Sequence, residues 1–236
     1  MIINKQMRKY ERELEEKIEY TFKNKKYLLE ALTHSSYANE NKKGNIQYNE
    51  RIEFLGDSAL GIVVSHYLFE NNKNLPEGEL TKIRANIVCE ESLSELAKRI
   101  GLGKYLLLGK GEEVTGGRER ISILADATEA IIGAIYLDGG LEAASNFVIN
   151  HMQDIIQDSI KGKIFRDYKT HLQEVLQSQT NERITYDVME EIGPDHNKKF
   201  IIQVRLGEEI LGKGGGKSKK EAEQMAAKQA LKRVGC

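Results

Sequence analysis

The apolar residues change their spacing near residue 160, and that change confines the chain to two unlike halves. Before it, KYLLEALTHSSYA, FLGDSALGIVVSHYLF, LTKIRANIVCEESLSELAKRI, ILADATEAIIGAIYLDGG and LEAASNFVINHMQDIIQDSI repeat apolar positions every three or four residues, the period of a helix with a buried face. Gly139-Gly140 predicts a stop between the last two stretches, and Gly101 to Gly117 a glycine-punctuated connection. The pattern lapses at KGKIFRDY, residues 161–168. Beyond it YKTHLQEVLQSQ reads as a helix, RITYDVMEEI, KKFIIQVRL and EEILGKG as strands, and SKKEAEQMAAKQALKRV as a helix again. The expected organisation is an all-α domain over residues 1–160, a linker at 161–166, and a small α+β domain of order α-β-β-β-α over 167–236. A chain of 236 residues lets each half bury a core of its own.

Charge divides the chain in a similar place. The net charge of -1 conceals a C-terminal stretch, Lys198 to Cys236, with ten Lys and Arg against four Asp and Glu. A basic module suits a polyanionic partner and leaves an acidic remainder that needs its own reason. No uninterrupted apolar run approaches the roughly 18 residues that crossing a bilayer takes, and MIINKQMRKYERELEEKIEY lacks the apolar centre of an export signal. No membrane association is expected, and the cytoplasm is the expected location. Cys89 and Cys236 show neither metal-ligand spacing nor a disulfide framework.

The acids of the first half stand in unusual company. Glu50, Glu53 and Asp57, at i, i+3 and i+7, share one helix face. A solvated face accounts for Glu50 and Glu53, but Asp57 is followed by SALGIVVS, and an unpaired carboxylate buried there would be costly. In ISILADATEAIIGAIYL, residues 121–137, the charges are Asp126 and Glu129, three apart, with no Lys or Arg in the run. Two like charges in an apolar helix call for a positive partner from elsewhere: a distant Arg in a structural ion pair, or a divalent metal. If the two acidic faces meet, Glu53, Asp57, Asp126 and Glu129 form an all-oxygen site suited to magnesium or manganese. His34, His66, His151, His171 and His196 are too scattered for zinc. Hard-metal carboxylate sites commonly act on phosphate esters, which makes phosphodiester hydrolysis the leading reaction.

In the basic module, GKGGGKSKKEAEQMAAKQAL carries a GKS that a nucleotide-binding P-loop would precede by a glycine at position 211, where Leu211 stands. No nucleotide cofactor is expected. Ser218 and Glu221 instead fit a capping box that starts a helix at Lys219. Lys217, Lys219 and Lys220 then crowd the positive end of a helix dipole, which suits either phosphate binding or a plain exposed turn.

These segments together resemble a known family. NERIEFLGDSAL resembles the signature of the ribonuclease III family of double-stranded-RNA endonucleases, and ILADATEAIIGAIYLDGG its second acidic segment. DYKTHLQEVLQ, GPDHNKKFIIQV and GKGGGKSKKEAEQMAA resemble the double-stranded-RNA-binding domain that follows. The resemblance covers nearly the whole chain, in the family's order. It implies a Mg²⁺-dependent endoribonuclease, with Mn²⁺ able to substitute, that hydrolyses duplex RNA to 5'-phosphate and 3'-hydroxyl ends in processing rRNA precursors and mRNA. It also implies a homodimer whose interface uses the signature helix. Carried onto matching positions, the metal-binding carboxylates fall on Glu53, Asp57, Asp126 and Glu129, with Asp57 and Glu129 the essential pair, and Glu50 and Glu77 as supporting acids. Gln173, Gln177 and His196 match residues that reach the RNA minor groove, and Lys217, Ser218, Lys219 and Lys220 match the phosphate-binding helix start. The chain departs from the family at Ile52, Ala59 and Thr128, and in a third glycine expected to lengthen the loop before Lys217.

Duplex RNA is read through its phosphates and 2'-hydroxyls, because its deep major groove hides the bases; Gln, His and Lys suit that task. The alternative is a double-stranded-RNA-binding protein without catalysis. A phosphatase of small substrates would have no use for the basic module.

Overall fold

The computed structural model describes residues 5–41, 46–162, 168–177, 179–180, 182–193 and 198–234. The chain divides into two compact units, Met1–Ile164 and Phe165–Cys236. The linker expected at 161–166 lies in large part outside the described residues.

The first unit is helical: α1 (Lys5–Lys17), α2 (Lys25–Ala31), α3 (Ser35–Glu40), α4 (Glu50–Asn71), α5 (Glu77–Ile87), α6 (Glu90–Ile100), α7 (Lys110–Val114) and α8 (Ile121–Ile160). Two stretches expected as single helices are each a pair. KYLLEALTHSSYA breaks at Leu32–His34, where His34 takes an extended conformation and caps α3 through its ring nitrogen. LTKIRANIVCEESLSELAKRI breaks at Val88-Cys89, with Cys89 extended and Glu90 and Glu91 opening α6, where acids favour a helix start. The apolar period runs on across both breaks, which hides them. The stop expected at Gly139-Gly140 is present as a break within α8, where Gly140 has φ 81°. Just before it, the Asp138 carboxylate accepts from Lys23 N, Asn24 N and the Tyr20 hydroxyl, each at 2.8 Å.

α8 runs through the core, with Ala127, Ala130, Ile131, Ile132, Ala134 and Ile135 fully buried. Thr128 fits there without strain, because its buried hydroxyl donates to Leu124 O at 2.8 Å and lies 3.2 Å from Leu93 O. α4 lies against α8 and buries Ile52, Ala59, Leu60, Val63 and Val64 in the shared core. As a whole helix α4 is long and apolar enough to cross a bilayer, although its uninterrupted apolar runs are shorter. Three acids near its start and its packing in the core account for it otherwise.

The second unit is α9 (Tyr168–Gln177), β1 (Ile184–Ile192), β2 (Lys199–Leu206), β3 (Glu209–Gly216) and α10 (Lys219–Val234). Its strands form an antiparallel sheet of order β1-β2-β3, with Tyr186 opposite Val204 and Val204 opposite Gly212. Leu172 and Leu176 of α9 and the alanines of α10 cover one face, over Ile202 and Val204. Gly212, Gly214 and Gly216 point toward α10; a Cβ on Gly214 would stand 2.1 Å from Ala226 N. The third glycine does not lengthen a loop. β3 runs unbroken to Gly216, paired with Phe200, and Gly215 faces the other way, beside Ile201.

Candidate active site

Two glycines bring the acids together. A Cβ on Gly56 of α4 would stand 1.8 Å from the Glu129 carbonyl oxygen, and one on Gly133 of α8 would stand 2.3 Å from the Ile52 carbonyl. The two helices therefore cross backbone to backbone at Gly56 and Gly133. Glu53 and Asp57 flank Gly56, and Glu129 stands one turn before Gly133, so the crossing sets acids of both helices beside one another. The sequence reading passed over both glycines; the signal was a glycine interrupting an otherwise strong helical pattern in each run.

The charges interact. Burial first, then the neighbouring carboxylates Asp126, Glu50 and Asp57, push Glu53 up to about 7. Burial followed by Asp57, Glu53 and Asp126 pushes Glu129 up to about 7. Asp126 is raised as well, by burial, Glu90 and Glu50, with His34 pulling the other way. Among the described residues, none of the four predicted carboxylates has a Lys or Arg ion-pair partner, so the structural ion-pair reading fails. Asp57 departs from expectation in being exposed, while Glu53, Asp126 and Glu129 are half-buried.

The expected supporting acids part company. Glu50 acts on both Glu53 and Asp126. Glu77 is exposed in the first turn of α5, where it accepts from Thr81 Oγ1 at 2.8 Å. Glu90, at the start of α6, is the first acid acting on Asp126 and was missed, because nothing in sequence spacing ties residue 90 to residue 126.

The donor set is all oxygen, it carries excess negative charge, and it is partly withdrawn from water. A divalent cation relieves each of those conditions, so these residues fit one. Among the described residues, no three His, Cys, Asp or Glu side chains already gather tightly enough to hold a metal ion.

In the second unit, Gln173 and Gln177 are exposed one turn apart on α9 and line an open cleft with Lys169, Arg183 and Asp187. Lys217, Ser218, Lys219 and Lys220 are all exposed at the start of α10. Ser218 Oγ accepts from Glu221 N at 3.2 Å, as a capping box requires. The Glu221 carboxylate reaches one residue further back than in the usual box, to Lys217 N at 2.6 Å. Lys219 lies 3.1 Å from Glu191, which also pairs with Lys198 at 3.2 Å. His196 lies outside the described residues.

Comparison with known proteins gives this geometry a context. A family model described as Ribonuclease-III-like matches residues 24–156, and one described as Double-stranded RNA binding motif matches residues 168–234. The chain is 58% identical over 222 residues to Ribonuclease 3 of Caldanaerobacter subterraneus subsp. tengcongensis, an alignment covering 94% of this chain and 97% of the relative. It is 52% identical over 223 residues to Ribonuclease 3 of Clostridium perfringens, covering 94% and 93%. Among solved structures it is similar to a ribonuclease III nuclease domain from Campylobacter jejuni, with a TM-score of 0.56 and 44% identity over 60% of this chain and 95% of that one. The description of that structure concerns flexibility in a region involved in dimer formation.

Proposed function

The chain belongs to the ribonuclease III family of double-stranded-RNA endonucleases, a metal-dependent family, and from that premise we propose that Glu53, Asp57, Asp126 and Glu129 hold Mg²⁺ for cleavage. The observation that carries the assignment is the uncompensated acid cluster at the Gly56–Gly133 crossing. When bound, a hard cation offsets the charge that builds on the phosphate oxygens and eases deprotonation of water; Mn²⁺ has the same preference for oxygen donors. The residues of the chain do the rest. The backbone crossing fixes the spacing between the acids of α4 and α8, and the buried flank of α8 keeps Asp126 and Glu129 from swinging free. Glu50 and Glu90 raise the negative potential around them.

In the second unit, Gln173, Gln177 and Lys217 to Lys220 supply contacts to the sugars and phosphates of a duplex, with Ser218 fixing the helix end that presents the lysines. The products carry 5'-phosphate and 3'-hydroxyl ends, and the substrates include rRNA precursors and mRNA. Cutting both strands of a duplex calls for two acid clusters related by a two-fold axis. Phe54, Ile62 and Phe69 leave α4 with exposed apolar side chains, which supports a homodimer through this helix.

Glu129→Gln tests the assignment. Cleavage of a defined RNA duplex is expected to fall by about 10³-fold or more, the rate equivalent of several kcal/mol of charge stabilisation, while duplex binding is retained. Cleavage by the variant at the wild-type rate with Mg²⁺ sinks it.

A further inference from the structure

Three arginines among the described residues are half-buried: Arg84, Arg118 and Arg205. Arg118 grips the Glu113 carboxylate at 2.5 and 2.6 Å, and Arg205 that of Glu208 at 2.8 Å. Arg84 has no acid partner among the described residues; its Nη1 donates to Ser65 Oγ of α4 at 2.9 Å, which engages one of the guanidinium donors and none of the charge. Its place in the last turn of α5 favours a cation modestly, through the helix dipole. That does not supply the counter-charge that a partly desolvated guanidinium calls for.

The bond to Ser65 fixes where this charge stands. Ser65 follows Asp57 by eight residues, about 12 Å along α4 and about 80° around it. Gly61 lies between them, and a Cβ there would meet nothing within 4 Å, so the helix surface is open at that point. α5 itself ends three residues before Glu90, the acid that acts on Asp126. Arg84 therefore flanks the acid cluster without pairing with it. What completes it is an anion, and on this flank the molecule that reaches the acids provides one. A duplex strand carries phosphates on either side of the bond to be cut, each with two free oxygens that match the guanidinium fork. A carboxylate of a second copy would also answer the charge, but Phe54, Ile62 and Phe69, the exposed residues through which α4 is proposed to meet that copy, are apolar.

We propose that Arg84 binds a phosphate of the RNA duplex: Ser65 holds the guanidinium against α4, and its remaining donors take a phosphate a few nucleotides from the bond that is cut. The nuclease unit then grips the substrate itself, in addition to the contacts of the second unit. This deepens the reading of the acid cluster as the cleavage site and rests on it.

Arg84→Gln in the full chain keeps a polar side chain and removes the charge. Binding of a defined RNA duplex is measured in the Glu129→Gln background, where the duplex stays intact. The added change is expected to weaken binding about tenfold at low salt, as for one charge-assisted contact, and to reduce the slope of log affinity against log salt by about 1 per lost contact. Native mass and thermal midpoint should stay those of the parent. If Arg84→Gln does not fold, Ser65→Ala decides the matter: it frees the guanidinium without removing its charge and is expected to weaken binding by a smaller factor, and unchanged binding overturns the proposal. Unchanged affinity and salt slope in folded Arg84→Gln overturn the role of Arg84 alone. A fall in native mass assigns the guanidinium to a second copy and overturns it as well. Cleavage of the duplex by Glu129→Gln at the wild-type rate overturns the acid-cluster reading, and the role of Arg84 with it.

Discussion

The two units carry their charges in opposite ways. At the α4–α8 crossing three carboxylates are half-buried, without a Lys or Arg ion-pair partner among the described residues, and neighbouring acids push each of them toward protonation. In the second unit Lys217, Lys219 and Lys220 are exposed, and several lysines have acids at hand: Lys169 with Glu223 at 2.7 Å, and Lys198 and Lys219 with Glu191. The first arrangement is a standing imbalance held by backbone packing, which protonation or an arriving cation relieves. The second is a set of solvent-accessible pairs, partly exposed, that a phosphate can replace at modest cost. Chemistry and binding thus draw on charge differently: one needs it fixed, the other needs it exchangeable.

The largest expected effect comes from breaking what holds the first arrangement. Gly56→Ala places a methyl group 1.8 Å from the Glu129 carbonyl, so α4 and α8 must separate. We expect a loss of about 3 kcal/mol or more in stability, at the upper end for overpacking, together with loss of cleavage. Gly61→Ala on the same helix is the control, since its methyl would meet nothing within 4 Å. There the better helix former should be neutral or stabilising by up to about 1 kcal/mol. Denaturant unfolding of both variants measures the contrast, and equal stabilities would remove the crossing as the element that positions the site.

This contrast also shows what a sequence can disclose. Asp126 and Glu129 were legible because charge in an apolar helix is costly wherever that helix packs, and Glu53 because it shares a face with Asp57. Asp57 was singled out on an argument of burial that does not hold for it, since the structure leaves it exposed. The strands and helices of the second unit were legible in their alternation, and the start of α10 in its cap. Glu90, His34 and the pairing of Gly56 with Gly133 were not legible, because each depends on which helices meet. The breaks at Leu32–His34 and Val88-Cys89 were hidden for a different reason: the apolar period stays in phase across them.

The next effect sharpens the imbalance itself. In the folded chain Glu53 and Glu129 keep their protons up to about 7, against 4.5 for an ordinary glutamate. A raised folded value means the native state binds these protons more tightly than the unfolded chain. The stabilisation is therefore complete below the ordinary value and lost as pH rises through about 7. Metal-free protein is expected to lose thermal stability from these groups between about pH 5 and pH 8. Mg²⁺ should restore more at the upper end, where no proton has to be displaced. Glu129→Gln should flatten the metal-free decline and blunt the Mg²⁺ response. Thermal unfolding in EDTA and in Mg²⁺ across this range measures both, and a Mg²⁺ increment independent of pH would contradict the coupling.

The smallest expected effect tests whether the charges of the second unit are exchangeable. Lys219→Ala should weaken duplex-RNA binding and reduce the slope of log affinity against log salt by about 1, as for one lost phosphate contact. Glu191→Gln should do the reverse in affinity. With that carboxylate neutralised, Lys198 and Lys219 have no ion pair with Glu191 to give up, and the duplex should bind a few-fold more tightly at low salt. Saturating kcat should be unchanged, since Glu191 belongs to the other unit from the acid cluster. Binding isotherms at several salt concentrations distinguish this from a positioning role. If Glu191 instead holds Lys219 where the phosphate needs it, the Gln variant binds more weakly, and the pairs of the second unit are then as fixed as the acids of the first.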